Sequence, residues 1–117
     1  MRHGKADKRL GRNDDHRRSM LRNLATSLFT HGKLETTVVR AKEVSRVASR
    51  LITRAKKGDL HSRRLIAAYL TSQDVAKKVC DVIAPSLAGR AGGYTRIVRT
   101  RLRKGDAAEM AQIELLK

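Results

Sequence analysis

Residues 33–57, KLETTVVRAKEVSRVASRLITRAKK, decide the fold because they join a short strand directly to the clearest helix of the chain. The first six residues alternate, with Leu34 and Val38 on the same side, which predicts a strand. From about residue 39 onward the apolar residues recur at helical spacing, and Gly58 is the expected end of that helix. This stretch therefore predicts one strand followed at once by one amphipathic helix.

The face of this helix opposite the apolar residues is basic. Lys42, Arg46, Arg50 and Arg54 recur every four residues, and only Arg46 has an acid, Glu43, three residues away. Like charges at this spacing cost an isolated helix ~0.2–0.5 kcal/mol each. A phosphate backbone along the face would remove the repulsion, whereas the alternative is a merely solvated basic face. The pattern leaves both interpretations open.

Further helices are expected on both sides of this unit. Upstream, apolar positions between Met20 and Phe29 predict a helix with an N-cap among residues 13–15 and an end at Gly32. Downstream, a third helix is expected to begin near residue 59. A fourth, opening near residue 72, is expected to end at Pro85.

The last third of the sequence predicts two strands. Residues 95–104, TRIVRTRLRK, combine β-favouring residues with five basic ones and no acid. Ile97 and Val98 interrupt the alternation, so a β-bulge is expected there. After a turn, residues 110–116 supply the last strand. The order of arm, helix, strand, three helices and two strands predicts a single α+β domain spanning residues 1–117.

Composition limits the partners and excludes several classes of protein. The chain of 117 residues has 27 Lys or Arg against 11 Asp or Glu, a formal net charge of +16, and 40% hydrophobic residues. That apolar content suffices for a modest core. No apolar run approaches the ~18 residues of a membrane span, and no apolar stretch follows the basic start, so neither a span nor a secretory signal is expected. The charge favours a polyanionic partner, nucleic acid before a membrane surface.

Residues 1–14 are expected to form an extended basic arm. Their only apolar residues are Met1, Ala6 and Leu10, so the segment has little to bury. Basic terminal arms of this kind follow phosphates and become ordered on contact. A solvated tail without function is the alternative.

Catalytic and metal-binding patterns are not found in the sequence. Residues 89–93 lack the Lys-Ser/Thr ending of a phosphate-binding loop. The lone Cys80 cannot form an internal disulfide and fits a small buried hydrophobe in a reducing compartment. Asp14 and Asp15 fit helix capping, and the four histidines are scattered. We therefore expect no enzyme, no metal, no cofactor and no small-molecule substrate.

Several motifs, taken in order, resemble a known family. They are Met1–Arg2–His3, the LETT of residues 34–37, the GDLHSRR of residues 58–64, the GGYTRI of residues 92–97, and the GD and MAQIEL of residues 105–115. Together they resemble the bacterial large-subunit ribosomal protein family L17 over essentially the whole chain. No single motif is diagnostic, but their order and spacing are highly specific.

The resemblance implies an α+β fold with helices packed on a small mixed three-stranded sheet and a basic N-terminal extension. It implies a cytoplasmic structural constituent of the bacterial large ribosomal subunit that binds large-subunit rRNA near the peptide exit tunnel and supports subunit assembly and translation. Neighbouring tunnel-exit ribosomal proteins would be the protein partners. One alternative is a free-standing basic nucleoid or DNA-binding protein, for which the sequence offers neither a heptad seam nor an intercalating aromatic arm. The other is a small RNA-processing enzyme.

Charge and resemblance together identify candidate RNA-binding residues in the arm, the first helix, the glycine loop and the basic strand. They are Arg2, His3, Lys5, Lys8, Arg9, Arg12, Asn13, His16, Arg17, Arg18, Arg22, Gly92, Gly93, Tyr94, Arg96, Arg99, Arg101 and Arg103. A second set comprises the basic helix face and the start of the third helix: Lys42, Arg46, Arg50, Arg54, Arg63 and Arg64. Gly92 and Gly93 would let the backbone approach RNA, and Tyr94 would either stack on a base or pack in the core.

Overall fold

A computed structural model describes residues 13–116, which fold as helices packed against a three-stranded sheet. The elements are α1 Asp14–His31, β1 Lys33–Thr37, α2 Val38–Lys56, α3 Leu60–Tyr69, α4 Gln73–Lys78, a π-helical turn Val79–Ile83, α5 Ala84–Ser86, β2 Thr95–Leu102 and β3 Glu109–Leu115. This is the predicted α+β architecture. Within the described range, no helix is both long and apolar enough to cross a bilayer.

The sheet is antiparallel throughout rather than mixed. Its strand order is β1-β3-β2, and β3 runs antiparallel to both of its neighbours. Ile113 at the centre of β3 lies opposite Leu34 of β1 and Ile97 of β2. β1 and β2 do run in the same direction, but β3 separates them, so no parallel pair forms.

Local sequence fixes the helix ends. The Asn13 side chain accepts the backbone N–H of His16 at 2.8 Å, which makes Asn13 the N-cap of α1. Asp14, expected in the arm, is therefore the first residue of this helix. Gly32, with φ of 82°, ends α1 in the left-handed conformation. Thr37 caps α2, so Val38, expected as the last strand residue, instead begins the helix.

The core lies between the first two helices and the inner face of the sheet. Leu28 and Phe29 of α1, Val44 and Ile52 of α2 and Ile113 of β3 are all fully buried. Burial of each such side chain contributes ~1.5–3 kcal/mol. These contacts fix the angle between α1 and α2, which in turn determines where the basic residues of both helices lie.

The helical segment that begins at Gln73 continues past Pro85, so the prediction that Pro85 ends the fourth helix is wrong. A π-helical turn at Val79–Ile83 precedes the proline, and the N–H of Ala84 donates to the carbonyl of Val79, five residues earlier. Pro85 follows this wider turn within the continuous helical segment and lies one residue before its last residue, Ser86.

A β-bulge is present in β2, but at Thr100 and Arg101, three residues beyond Ile97 and Val98 where it was expected. Arg99 lies opposite Ala111 and Leu102 opposite Glu109, so two residues of β2 face one residue of β3. Ile97 keeps its regular partner. The bulge therefore leaves residues 95–99 of β2 in register with β3 and bends only the end of the strand that leads into the turn.

Candidate nucleic-acid interface

Six predicted contacts lie outside the described residues. They are Arg2, His3, Lys5, Lys8, Arg9 and Arg12. Most of the remaining candidates lie on three surfaces: a groove between helices, the β2–β3 hairpin and the glycine loop before β2.

Basic side chains of α1 and α2 line a groove that Tyr69 of α3 closes. Two adjoining cavities of about 190 Å³ and about 290 Å³ form it, and they share Val47, Arg50 and Tyr69 as walls. The guanidinium of Arg22 lies 5.3 Å from the centre of the Tyr69 ring. The arginines that line the cavities are Arg17, Arg18, Arg46, Arg50 and Arg54. We call this region the helical groove.

Acidic partners neutralise only part of the helical groove. Arg17 pairs with Asp14 at 3.0 Å, and Arg46 pairs at 3.6 Å with the buried Glu43, as the spacing of the latter pair predicts. Arg50 is exposed. Among residues 13–116, no carboxylate lies within ion-pair distance of Arg18, Arg22, Arg50 or Arg54. The groove therefore carries an excess of positive charge.

The hairpin surface has a different electrostatic balance. Each of its four arginines faces a carboxylate of β1, β3 or the turn. The pairs are Arg96–Glu114, Arg99–Glu109 at 2.9 Å, Arg101–Glu35 at 3.0 Å and Arg103–Asp106 at 2.6 Å. Hydrogen bonds from Thr100 and Arg101 lower the pKa of Glu35. A segment that contains no acid in sequence is thus largely neutralised by the strands beside it.

The glycine loop is attached to α2 through one lysine. Lys56 Nζ donates to the carbonyl of Arg90 at 2.6 Å and to the hydroxyl of Tyr94 at 3.1 Å. Its bond to the phenol is the main cause that lowers the pKa of Tyr94. Gly93 has φ of 62°, which favours glycine, while Gly92 is exposed with open space where a side chain would project.

Tyr94 is only 2% exposed and belongs to the core cluster. Of the two interpretations left open by the sequence, the structure therefore favours core packing, and a buried ring cannot stack on an RNA base. Its assignment as a direct RNA contact is corrected on this ground. The tyrosine instead anchors the start of β2.

Comparison with known proteins identifies the family. The family model described as ribosomal protein L17 matches residues 20–116. A relative from Pelobacter propionicus, named large ribosomal subunit protein bL17, is 50% identical over all of this chain and 92% of its own length. A relative of the same name from Moorella thermoacetica is 53% identical over 95% of this chain and 99% of its own length. Another from Fusobacterium nucleatum is 51% identical over 99% of this chain and 100% of its own length.

The chain belongs to the ribosomal protein L17 family. The resemblance seen in the sequence is thereby confirmed. L17 is a family of ribosomal proteins and not a class of enzymes.

In this L17 chain the fold brings together arginines that the sequence assigned to separate sets. Arg18 of α1 and Arg50 of α2 line one cavity, although 32 residues separate them in sequence. Arg63 and Arg64 of the second set lie apart, around a different depression beside α4, and Arg63 pairs with Asp81 at 2.9 Å. The side chain of Asn13 is occupied in capping α1.

Sequence reasoning missed two side chains of the candidate interface. Tyr69 is not among the RNA-binding residues predicted from the sequence, and its place beside Arg22 depends on how α1 and α3 each pack against α2. Lys56 was not singled out, and its contact with Arg90 spans 34 residues. Neither position carries a local signal, because both roles arise from contacts between distant segments.

Proposed function

We propose that this chain is a structural component of the bacterial large ribosomal subunit that works in the cytoplasm by binding large-subunit rRNA. The family match over residues 20–116 carries the proposal, since the relatives are named large ribosomal subunit proteins. The net charge of +16 supports it, because dense positive charge fits a phosphate-rich partner. A location near the peptide exit tunnel, contacts with neighbouring tunnel-exit proteins, and support of subunit assembly and translation follow from the family resemblance.

The proposed mechanism is electrostatic anchoring combined with shape. The basic arm was expected over residues 1–14, and Asp14 belongs to α1. The rest of the arm would follow RNA phosphates and become ordered on binding. The folded part would present preformed basic surfaces. If about eight phosphates are neutralised, the logarithm of affinity should fall with the logarithm of salt concentration with a slope of about −6 to −7. A slope shallower than about −2 in a filter-binding titration would contradict this mechanism.

Sedimentation of a cell lysate through sucrose gradients at rising salt tests the proposed location. We expect the chain to travel with the large ribosomal subunit at about one copy per particle and to dissociate only at high salt. Travel with DNA would support a nucleoid protein instead. Recovery at the top of the gradient at low salt would overturn the ribosomal proposal.

A further inference from the structure

We propose that the helical groove, and not the basic hairpin, is the main RNA site of the folded part, with Tyr69 as a stacking surface between two rows of arginine. The inference rests on the proposed function, which supplies RNA as the polyanion. It goes further in assigning the site to a surface built by three helices. It also gives a smaller role to the hairpin arginines, which belong to the first set of candidates from the sequence.

The balance of charge differs between the hairpin and the helical groove. Acids already neutralise Arg96, Arg99, Arg101 and Arg103 on the hairpin. A phosphate that approaches the hairpin must compete with these carboxylates and is repelled by them. In the helical groove only two arginines have acidic partners among the described residues. A phosphate there gains attraction without first displacing a carboxylate.

The spacing of the arginines on α2 matches that of RNA phosphates. Arg46, Arg50 and Arg54 form the α2 row, and successive members are four residues apart, which is about 6 Å along a helix axis. That distance is comparable to one nucleotide step of an RNA strand. Glu43 is 4% exposed and holds the guanidinium of Arg46 from behind, so the middle of the row is oriented before RNA arrives. A strand lying along α2 would place successive phosphates against Arg46, Arg50 and Arg54.

The aromatic ring of Tyr69 lies where the two cavities of the groove meet. Tyr69 is half-buried and forms a wall of both cavities. Aromatic rings beside basic grooves accept stacked bases of unpaired RNA without sequence preference. Arg22 beside the ring adds a planar cation that can stack on or contact the same nucleotide. A basic row with an aromatic platform fits an unpaired RNA strand better than it fits a smooth duplex.

Paired charge variants of the full-length chain test the assignment. One variant carries Arg50→Gln and Arg54→Gln, and the matched control carries Arg99→Gln and Arg101→Gln, so both lose two positive charges. Binding to large-subunit rRNA is titrated over a range of salt concentrations, after circular dichroism shows that each variant is folded. We expect the groove variant to lose about tenfold in affinity, with a salt slope shallower by ~1.4–1.8, while the control changes by less than half as much.

Two further variants test the site more sharply. Arg50→Lys with Arg54→Lys keeps the charge and should keep the slope. Tyr69→Phe should bind like the wild type, whereas Tyr69→Leu should lose about fivefold or more if a base stacks on the ring. Equal binding by the two Tyr69 variants would overturn the stacking role.

The outcomes separate the two proposals. If the wild-type chain does not bind rRNA, the proposed function and this inference both fail. If the wild type binds but the groove variant is unchanged, or the hairpin control loses as much, only the groove assignment fails. Binding to phosphatidylserine vesicles that equals binding to rRNA, and that Arg50→Gln with Arg54→Gln abolishes, would also overturn it, because the groove would then be a membrane site.

Discussion

At the residue scale, one carboxylate holds the turn between β2 and β3. Asp106 accepts a hydrogen bond from the Arg103 guanidinium at 2.6 Å and another from the backbone N–H of Ala108 at 3.2 Å. These bonds, that of Arg103 first, lower the pKa of Asp106 to about 2. Because this value lies below the ordinary 3.8, ionised Asp106 stabilises the folded state above about pH 4. The contribution is lost as the pH falls through about 2.

We therefore expect Arg103→Gln to raise the pKa of Asp106 toward 3.8, because it removes the larger of the two hydrogen-bonding causes. An NMR titration of the Asp106 carboxyl carbon measures this directly. Near pH 3 the wild-type carboxyl should be mostly ionised, and a larger fraction of the variant's carboxyl should be protonated. Arg99→Gln is the control, because its arginine pairs with Glu109 instead. An unchanged midpoint in Arg103→Gln would contradict the assigned cause.

At the element scale, Lys56 joins the end of α2 to the glycine loop that precedes β2. Its ammonium group contacts Arg90 and the hydroxyl of Tyr94, and it lies 5.1 Å from the Tyr94 ring centre. The exposed loop itself contributes no buried apolar side chain between residues 88 and 93. One side chain thus restrains a segment that the core does not hold.

Replacement of Lys56 by Met should loosen this loop without unfolding the chain. We expect faster hydrogen exchange at the amide of Arg90, which donates to the carbonyl of Leu87 at 3.0 Å, and a higher pKa for Tyr94 because its hydrogen-bond donor is lost. Exchange is followed by NMR, and the phenol by its ultraviolet absorbance in a Tyr69→Phe background. Lys57→Met is the matched control, since that neighbouring side chain does not contact the loop in the described structure. Equal effects of the two substitutions would contradict the proposed restraint.

At the scale of the whole molecule, stability and function make opposite demands on charge. A net charge of +16 on 117 residues repels itself in the free chain, and the α2 row concentrates part of that repulsion. The same excess favours a polyanion. We therefore expect groove arginines to destabilise the free protein at low salt and to strengthen its complex with RNA.

Thermal unfolding of the free chain checks this trade-off. Arg50→Gln with Arg54→Gln should gain about 0.5–1 kcal/mol at low salt, because two like-charge contacts at i,i+4 disappear while helix propensity changes little. The gain should vanish above about 0.3 M salt, where screening is strong. Arg99→Gln with Arg101→Gln breaks ion pairs and should gain nothing at either salt concentration. A groove variant less stable than the wild type at low salt would contradict the argument.

Sequence patterns predicted most elements of the fold because the signals are local. The apolar period of residues 39–57 gives α2 within one residue at each end, and Gly32 ends α1 as expected. The broken alternation at Ile97 and Val98 predicted a bulge in β2 but not its position, which is three residues further along the strand. The end of the fourth helix was mispredicted because a π-helical turn, which has no simple sequence signal, precedes Pro85.

The candidate site was less predictable, since charge in a sequence does not show which charges meet. Residues 95–104 contain no acid, yet Glu35, Glu109 and Glu114 neutralise the arginines of β2 across the sheet. Tyr94, near an exposed loop, is buried. Such pairing and burial depend on register between strands and on the packing of a helix more than thirty residues away.

The sequence by itself determined the family, the α+β class, the position of most helices and strands and the large excess of positive charge. These follow from composition, period and short motifs, which are properties of neighbouring residues. Only the tertiary structure decided which arginines keep their charge unopposed and that α1, α2 and α3 enclose a groove around Tyr69. The reason is physical: electrostatic attraction and burial depend on distance in space, and folding sets that distance between residues far apart in the chain.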